Sequence, residues 1–267
     1  MTLTELYAKG EGRSINKATK RVFDVLATFI GATAPLGASE LSRQLGLSRN
    51  MVHRALVTLA EEGYLLKSDP GGRYVLSYRL VELQNTAVAP PDLREIARPC
   101  LAHLSEATGE TAQLCVRSGD VQTIIDGIEG GGPVVVRVKL GRATPLHASN
   151  ASRAILAACT NAEIEDYLKR NAPLTRYTPA TLTEPDALWQ EIGAIRKAGY
   201  ALSFGDYSPG TIGVAIALVD FDARPFGAIV VGGPASRLTD AWIQEHLETI
   251  RSAVANLNSI TSLYQAP

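Results

Sequence analysis

Residues 39–56 read Ser39-Glu-Leu-Ser-Arg-Gln-Leu-Gly-Leu-Ser-Arg-Asn-Met-Val-His-Arg-Ala-Leu56. Leu41 and Leu45 recur at helical spacing, and Gly46 suits the left-handed turn that closes a short helix. Ser39 is the predicted cap of that helix, which spans Glu40–Leu45. Ser48 is the cap of a longer one running to Glu62, with Val52, Leu56 and Leu59 as its apolar stripe. Two helices joined by a tight Gly turn, with Leu41, Leu45, Leu47, Val52 and Leu56 fixing the angle between them, form a helix-turn-helix. Helical geometry leaves Arg49, Asn50, His53 and Arg54 on or near the outer face of the second helix. Arg bonds guanine bidentately and Asn does the same with adenine, so these residue types suit base readout in the major groove. Ser39, and Ser48 at a helix N-terminus, are placed to donate to backbone phosphate.

Working outward, Ile15, Ala18, Val22, Val25, Leu26 and Phe29 predict a preceding helix, capped by Ser14 and stopping near Gly31. Its Lys17 and Lys20 are candidate phosphate contacts. Downstream, Tyr64–Lys67 and Arg73–Leu76 flank Ser-Asp-Pro-Gly-Gly and read as a hairpin, the wing of a winged helix, with Arg73 directed at phosphate or the minor groove. Residues 1–13 carry no pattern and are expected to be a mobile tail, leaving 14–77 as the DNA-binding domain. Residues 78–90 read as a linker helix, and Pro90-Pro91 marks the start of a larger domain over 91–267.

That second domain alternates patterns. Helices are expected over 93–108, 150–159, 162–169, 184–198 and 240–263. Strands are expected over 112–117, 122–128 and 134–138, with a further hairpin from 213–221 and 226–232. The fold class is therefore α+β: a winged helix-turn-helix, a linker helix, and a domain built on a largely antiparallel sheet.

Composition bounds the rest. The chain has 267 residues, 46% hydrophobic and 20% charged, enough for two packed cores. Its net charge of −1 is unevenly divided. Residues 1–86 hold 11 Lys+Arg against 8 Asp+Glu, and residues 87–267 hold 15 against 19, so the head is +3 and the body −4. A basic head fits a phosphate-binding end. No apolar run approaches the roughly 18 residues of a membrane span, and the N-terminus does not read as a secretion signal. Cys100, Cys115 and Cys159 form no CxxC pair, which argues against zinc and against a disulfide framework and fits a reducing cytoplasm.

The order of motifs resembles the isocitrate-lyase-regulator (IclR) family of transcription factors. The resemblance is carried by SELSRQLGLSRNMVHRALVTLAEEGYL, by RYVLSYRL, by GRATPLHASNASRAILA (Gly141–Ala157), by TLTEPDALWQEIGAIRKAGYA (Thr181–Ala201) and by GGPASRLT (Gly232–Thr239). It implies a GAF-like effector-binding domain, a cytoplasmic dimer or tetramer, pseudo-palindromic double-stranded operator DNA, and a small organic-acid effector controlling a catabolic pathway, more often by repression than activation. No cofactor or metal is implied. Carried over by position, the effector lining falls on Asn150, Ala151, Ser203, Gly213, Val230 and Gly232, with Val136 beside them, and Asn150, Ser203 or His147 is expected to supply the polar anchors. The family's Ala-x-Gly-Lys-Ala stretch is here Ala151-Ser152-Arg153-Ala154, without the glycine. Gly213, Val230 and Gly232 stand where small-acid binders often carry Cys or Ser. Fewer donors and more space point away from glyoxylate and towards a larger, partly apolar or aromatic acid.

Two other readings were weighed. Residues of the second domain such as Asp126, His147, Ser152, Cys159 and Asp206 are of catalytic type, but GxSxG, HExxH and P-loop patterns are missing, so an enzyme is not expected. A DNA-binding protein with no effector remains open, because the small residues over 141–158 and 210–213 also suit turns.

Overall fold

The computed structural model describes residues 16–30, 32–68, 71–86 and 93–264. The expected tail, Ser14, Gly31, the Asp69-Pro70 tip of the wing and the Pro90-Pro91 boundary lie outside them. The chain divides into two compact units, residues 1–89 and 90–267.

In the first unit, helix α1 spans Lys17–Ala27, strand β1 Leu36–Gly37, helix α2 Ala38–Leu45, helix α3 Arg49–Glu61, strand β2 Leu65–Ser68, strand β3 Arg73–Leu76 and helix α4 Arg79–Thr86. The cap of α1 is Asn16, whose side chain accepts from the amides of Ala18 and Thr19 at 2.9 and 3.2 Å, in place of the expected Ser14. Helix α2 starts earlier than the sequence predicts. Ser39 lies inside its first turn, and the capping position is Gly37, which offers no side-chain bond. The pull comes from Leu36 and Gly37, which pair with Tyr74 and Arg73 of β3 and lead straight into the helix. The wing is thus a three-stranded antiparallel sheet, order β1-β3-β2, rather than a bare hairpin. Ser48 does cap α3, accepting from the Met51 amide at 3.3 Å, and Gly46 takes the left-handed conformation at φ 63°. Val25, Phe29, Leu41, Val52, Ala55, Leu56, Leu59, Leu65 and Tyr74 close one core from all three helices and the wing.

The second unit begins with helix α5 over Leu93–Thr108. It continues with β4 Thr111–Ser118, β5 Val121–Ile128, β6 Ala143–Pro145, helices α6 Asn150–Ala158, α7 Asn161–Asn171 and α8 Pro185–Ala198, β7 Ala201–Phe204, β8 Thr211–Val219, β9 Pro225–Pro234 and helix α9 Asp240–Tyr264. The strands form one antiparallel sheet in the order β6-β5-β4-β9-β8-β7. Alternation along the strands sends Ala112, Leu114, Val214, Ile229 and Val231 to one face, against Leu101 and Leu104 of α5 and Ile250, Val254 and Leu257 of α9. Cys115, Ile124, Ala215, Ala228 and Val230 face the other side, against Ala151, Ala154 and Ile155 of α6 and Leu188, Ile192 and Ile195 of α8.

One expected strand is absent. Residues 134–138 are irregular, because side chains take their backbone polar groups. Arg237 donates to the Val134 carbonyl and Thr111 to that of Val136, both at 2.7 Å, while the Val138 amide donates to Glu129 at 3.1 Å. The edge strand is instead Ala143–Pro145, paired with residues 121–123.

Truncating Leu56→Ala in the head's core is expected to cost about 2–5 kcal/mol. Amides of α1–α3 should lose hydrogen-exchange protection while those of β4–β9 keep theirs. Equal loss in both units would contradict separate cores.

Candidate nucleic-acid interface and ligand cavity

Val52, Ala55, Leu56 and Leu59 commit one face of α3 to the core, so Arg49, Asn50, His53 and Arg54 emerge on the exposed side. Arg49, Asn50 and His53 line a concavity with Ser39 and Arg43 of α2, Gly71 and Gly72 of the wing, and Arg73. Four expected contacts, Ser48, Arg54, Lys17 and Lys20, lie outside the concavity. Ser48 caps α3 outside the concavity, while Lys17 and Lys20 belong to α1, and Lys20 is paired with Asp24 at 2.8 Å. Arg54 is exposed and has no ion pair among the described residues. Arg73 is held by its own fold: it donates to the Pro35 carbonyl at 2.7 Å and meets Glu40 at 3.5 Å. Glu40 also faces the concavity, so Arg73 offsets a charge that would repel phosphate. Arg43 is the cation the sequence reading passed over. Its helical position, four residues after Ser39 and on the face leading into the turn, was the available signal.

The second unit holds a cavity of about 110 Å³ on the α6 side of the sheet. Seven of the expected effector residues line it: Val136, Asn150, Ala151, Ser203, Gly213, Val230 and Gly232. His147 is not among them. Its Nδ1 is 2.7 Å from the Tyr167 hydroxyl and its Nε2 is 2.9 Å from the Thr175 carbonyl, which fixes the Nε2–H tautomer with the Tyr167 hydroxyl donating to Nδ1. Burial holds the imidazole below the usual histidine range, helped by the nearby Arg153 charge and opposed by the bond to Thr175. His147 is a structural brace.

The glycine at 213 does not widen the cavity. A Cβ there would fall 2.7 Å from Asn150 Nδ2, so the missing methyl is the space that Asn150 occupies. Asn150 Oδ1 accepts from the Ala151 amide at 2.9 Å, leaving Nδ2 directed away without a partner among the described residues. Gln122 Oε1 is equally unpartnered, and these two side chains are only 7% and 3% exposed. Gln113, Thr144, Ser149, Ser208 and Thr211 add hydrogen-bonding groups, and Arg137, Lys139 and Arg142 add charge. These groups share the lining with apolar Cys115, Ile124, Val136, Ala151, Ile212 and Val230, whereas the expectation of a partly apolar or aromatic ligand rests on three positions of β8 and β9. Gln113 and Gln122 were legible as polar residues at inward positions of otherwise apolar strands.

Asp206 also borders the cavity. Burial raises its carboxyl, and the opposing influence is Arg153, whose Nη1 contacts it directly. Arg153 further donates to the Leu202 carbonyl at 2.6 Å and lies 3.5 Å from Glu191, so the residue standing in the family's Lys position ties α6 to β7. Arg142 lies over the Tyr207 ring at 4.6 Å. Burial pushes the Cys115 thiol up to about 12, making it a lining group and not a nucleophile. No group of three or more metal-ligating side chains occurs among the described residues, and none of their helices is long and apolar enough to cross a membrane.

A helix-turn-helix with a three-stranded wing, followed by an α+β unit with a cavity of mixed polar and apolar lining, defines a DNA-binding transcriptional regulator with a separate C-terminal domain. Residues 18–69 match the IclR helix-turn-helix domain, residues 85–259 match the bacterial transcriptional regulator IclR C-terminal domain, and the chain belongs to the IclR family. Among its relatives, the HTH-type transcriptional regulator BhcR of Paracoccus denitrificans is 30% identical over 91% of this chain and 86% of its own length. The transcriptional repressor IclR of Escherichia coli K12 is 29% identical over 89% of this chain and 86% of its own. The crystal structure of the Thermotoga maritima IclR superposes with a TM-score of 0.71 at 26% identity, covering 91% of this chain and 98% of that one. An IclR homolog from Microbacterium hydrocarbonoxydans, solved with 4-hydroxybenzoate, shares the fold at a TM-score of 0.76 and 23% identity, covering 91% and 98%. These relatives are regulators and not enzymes, which sets aside catalysis by the second domain.

The His147 brace has a pH signature. Its folded-state affinity for protons is depressed, so the unfolded chain binds more protons below the ordinary histidine value of about 6.5, and stability falls as pH drops through it. Urea unfolding at pH 7 and pH 5 should show a loss of up to about 1.4 kcal/mol per pH unit, attributable to this group by its absence in His147→Gln. An unchanged pH dependence in the variant would contradict a neutral, buried His147.

Proposed function

We propose that this protein is a cytoplasmic, effector-responsive repressor of a catabolic pathway, acting as a dimer or tetramer on pseudo-palindromic operator DNA. The effector is a small organic acid taken into the cavity of the second unit. The observation that carries this is the pair of buried, unpartnered groups, Gln122 Oε1 and Asn150 Nδ2, facing a cavity with three cations in its lining. Buried polar atoms without partners are costly, and a domain serving only assembly has no reason to keep two of them around one void. Relatives named as repressors and the relative solved with an organic acid support the same reading.

On the DNA side, Arg49, Asn50 and His53 read base edges, and Ser39, Ser48, Arg54, Arg73, Lys17 and Lys20 serve phosphate. Ligand binding changes operator affinity only if it favours one arrangement of the paired recognition helices over another. Half-sites on B-DNA lie about 34 Å apart per turn, so a small rotation transmitted through residues 78–90 misplaces both heads together.

Two outcomes test this reading. Arg49→Ala or Asn50→Ala should each cost about 1–3 kcal/mol on the selected operator and relax base preference, while Lys17→Ala weakens all duplexes alike and flattens the salt dependence. Gly213→Ala should displace Asn150 and lower effector affinity at least tenfold, with duplex binding in the absence of effector unchanged. If no organic acid alters the operator affinity of the wild type, the second unit is an assembly domain and the effector reading falls.

A further inference from the structure

We infer that the cavity selects a hydroxylated aliphatic carboxylate, an acid of the aldonate type, over aromatic acids and over simple keto or fatty acids. This deepens the effector reading above and rests on it.

The protein leaves two buried hydrogen-bonding roles open. Asn150 Oδ1 is engaged by the Ala151 amide, so the free Nδ2 can only donate, and it requires an acceptor on the ligand. Gln122 Oε1 is free and can only accept, so it requires a donor. A keto acid such as pyruvate offers acceptors alone and would leave Gln122 Oε1 buried and unpaired. An unsubstituted aromatic acid fails in the same way. A hydroxyl supplies donor and acceptor together, and continues to fit if the Gln122 amide turns over.

The distribution of polar groups separates an aliphatic polyol chain from a ring. Around the cavity β4 contributes Gln113, β5 Gln122, β6 Thr144, α6 Asn150, β7 Ser203 and β8 Thr211. Only β9, through Val230 and Gly232, brings no hydrogen-bonding side chain. Apolar Cys115 of β4, Ile124 of β5, Ala151 of α6 and Ile212 of β8 share their elements with these polar groups. A chain with a hydroxyl on successive carbons meets such walls; a flat ring strands most of them.

Charge supplies the anionic end. Arg137, Lys139 and Arg142 line the cavity, and the one carboxylate in that lining, Asp206, is already engaged by Arg153. Arg137 is held by Glu129 at 2.6 Å, whereas Lys139 has no ion pair among the described residues and Arg142 is held only over the Tyr207 ring. Lys139 and Arg142 are the cations available to a carboxylate.

Titration calorimetry on the full chain tests this with matched pairs: glycerate against propionate, threonate against butyrate, gluconate against hexanoate, with benzoate and 4-hydroxybenzoate alongside. At least one hydroxylated acid should bind about 100-fold or more tightly than its deoxygenated partner and than both aromatic acids. Gln122→Leu should cut that preference below tenfold while duplex DNA binding without ligand and the melting temperature hold. The wild-type comparison stands by itself if the variant is unstable. Aromatic or deoxygenated acids binding as well as every hydroxylated one would overturn the ligand class and leave the effector reading intact. Silence across the whole panel would overturn both.

Discussion

Helix α3 has an apolar stripe on one side only, and that asymmetry governs the first unit. With Val52, Ala55, Leu56 and Leu59 fixed in a core completed by α1, α2 and the wing, the opposite face is left to solvent. The left-handed turn at Gly46 and the cap at Ser48 set where α3 begins, and therefore which side chains stand at its exposed N-terminal end. The wing is held in register by β1 pairing ahead of α2. A shift of one residue in that pairing would move Arg73 away from Glu40 and open the concavity to an uncompensated acid.

In the second unit the same logic applies to a sheet. Strand alternation divides the interior into two cores, one against α5 and α9, the other against α6 and α8. The second core is incomplete where Gln113 and Gln122 replace apolar residues on the inward face, and the cavity forms there. Asn150 enters that space because residue 213 has no side chain. The Arg153–Asp206 contact, buried and reinforced by the Leu202 carbonyl, ties α6 to the β7 edge beside the cavity wall. The ion pair thus joins two elements at the cavity wall, where Asp206 is part of the lining.

Much of this was legible in the residues. The helix-turn-helix followed from the spacing of Leu41, Leu45, Val52 and Leu56 and from Gly46, all local signals. Seven of the residues expected by resemblance do border one cavity. What escaped was non-local. The early start of α2 at Ala38 depends on the pairing of Leu36 and Gly37 with β3, which no window of sequence contains. The Val134–Val138 run carries a β-like composition, yet Arg237, Thr111 and Glu129, remote along the chain, claim its backbone groups. Gly213 suggests added volume when read in the sequence, but Asn150, its neighbour across the core, fills that volume. His147, expected as a polar anchor for the ligand, instead turns its ring to Tyr167 and Thr175.

The central claim is that the exposed side of α3 enters the major groove of a specific duplex. Methylation protection on a duplex selected by the full chain from a random-sequence pool measures this directly, since guanine N7 faces the major groove and adenine N3 the minor. Guanine N7 protection is expected in two clusters separated by about 10 base pairs or a multiple of that spacing. Failure to enrich any duplex at low salt, or protection confined to adenine N3, would contradict it.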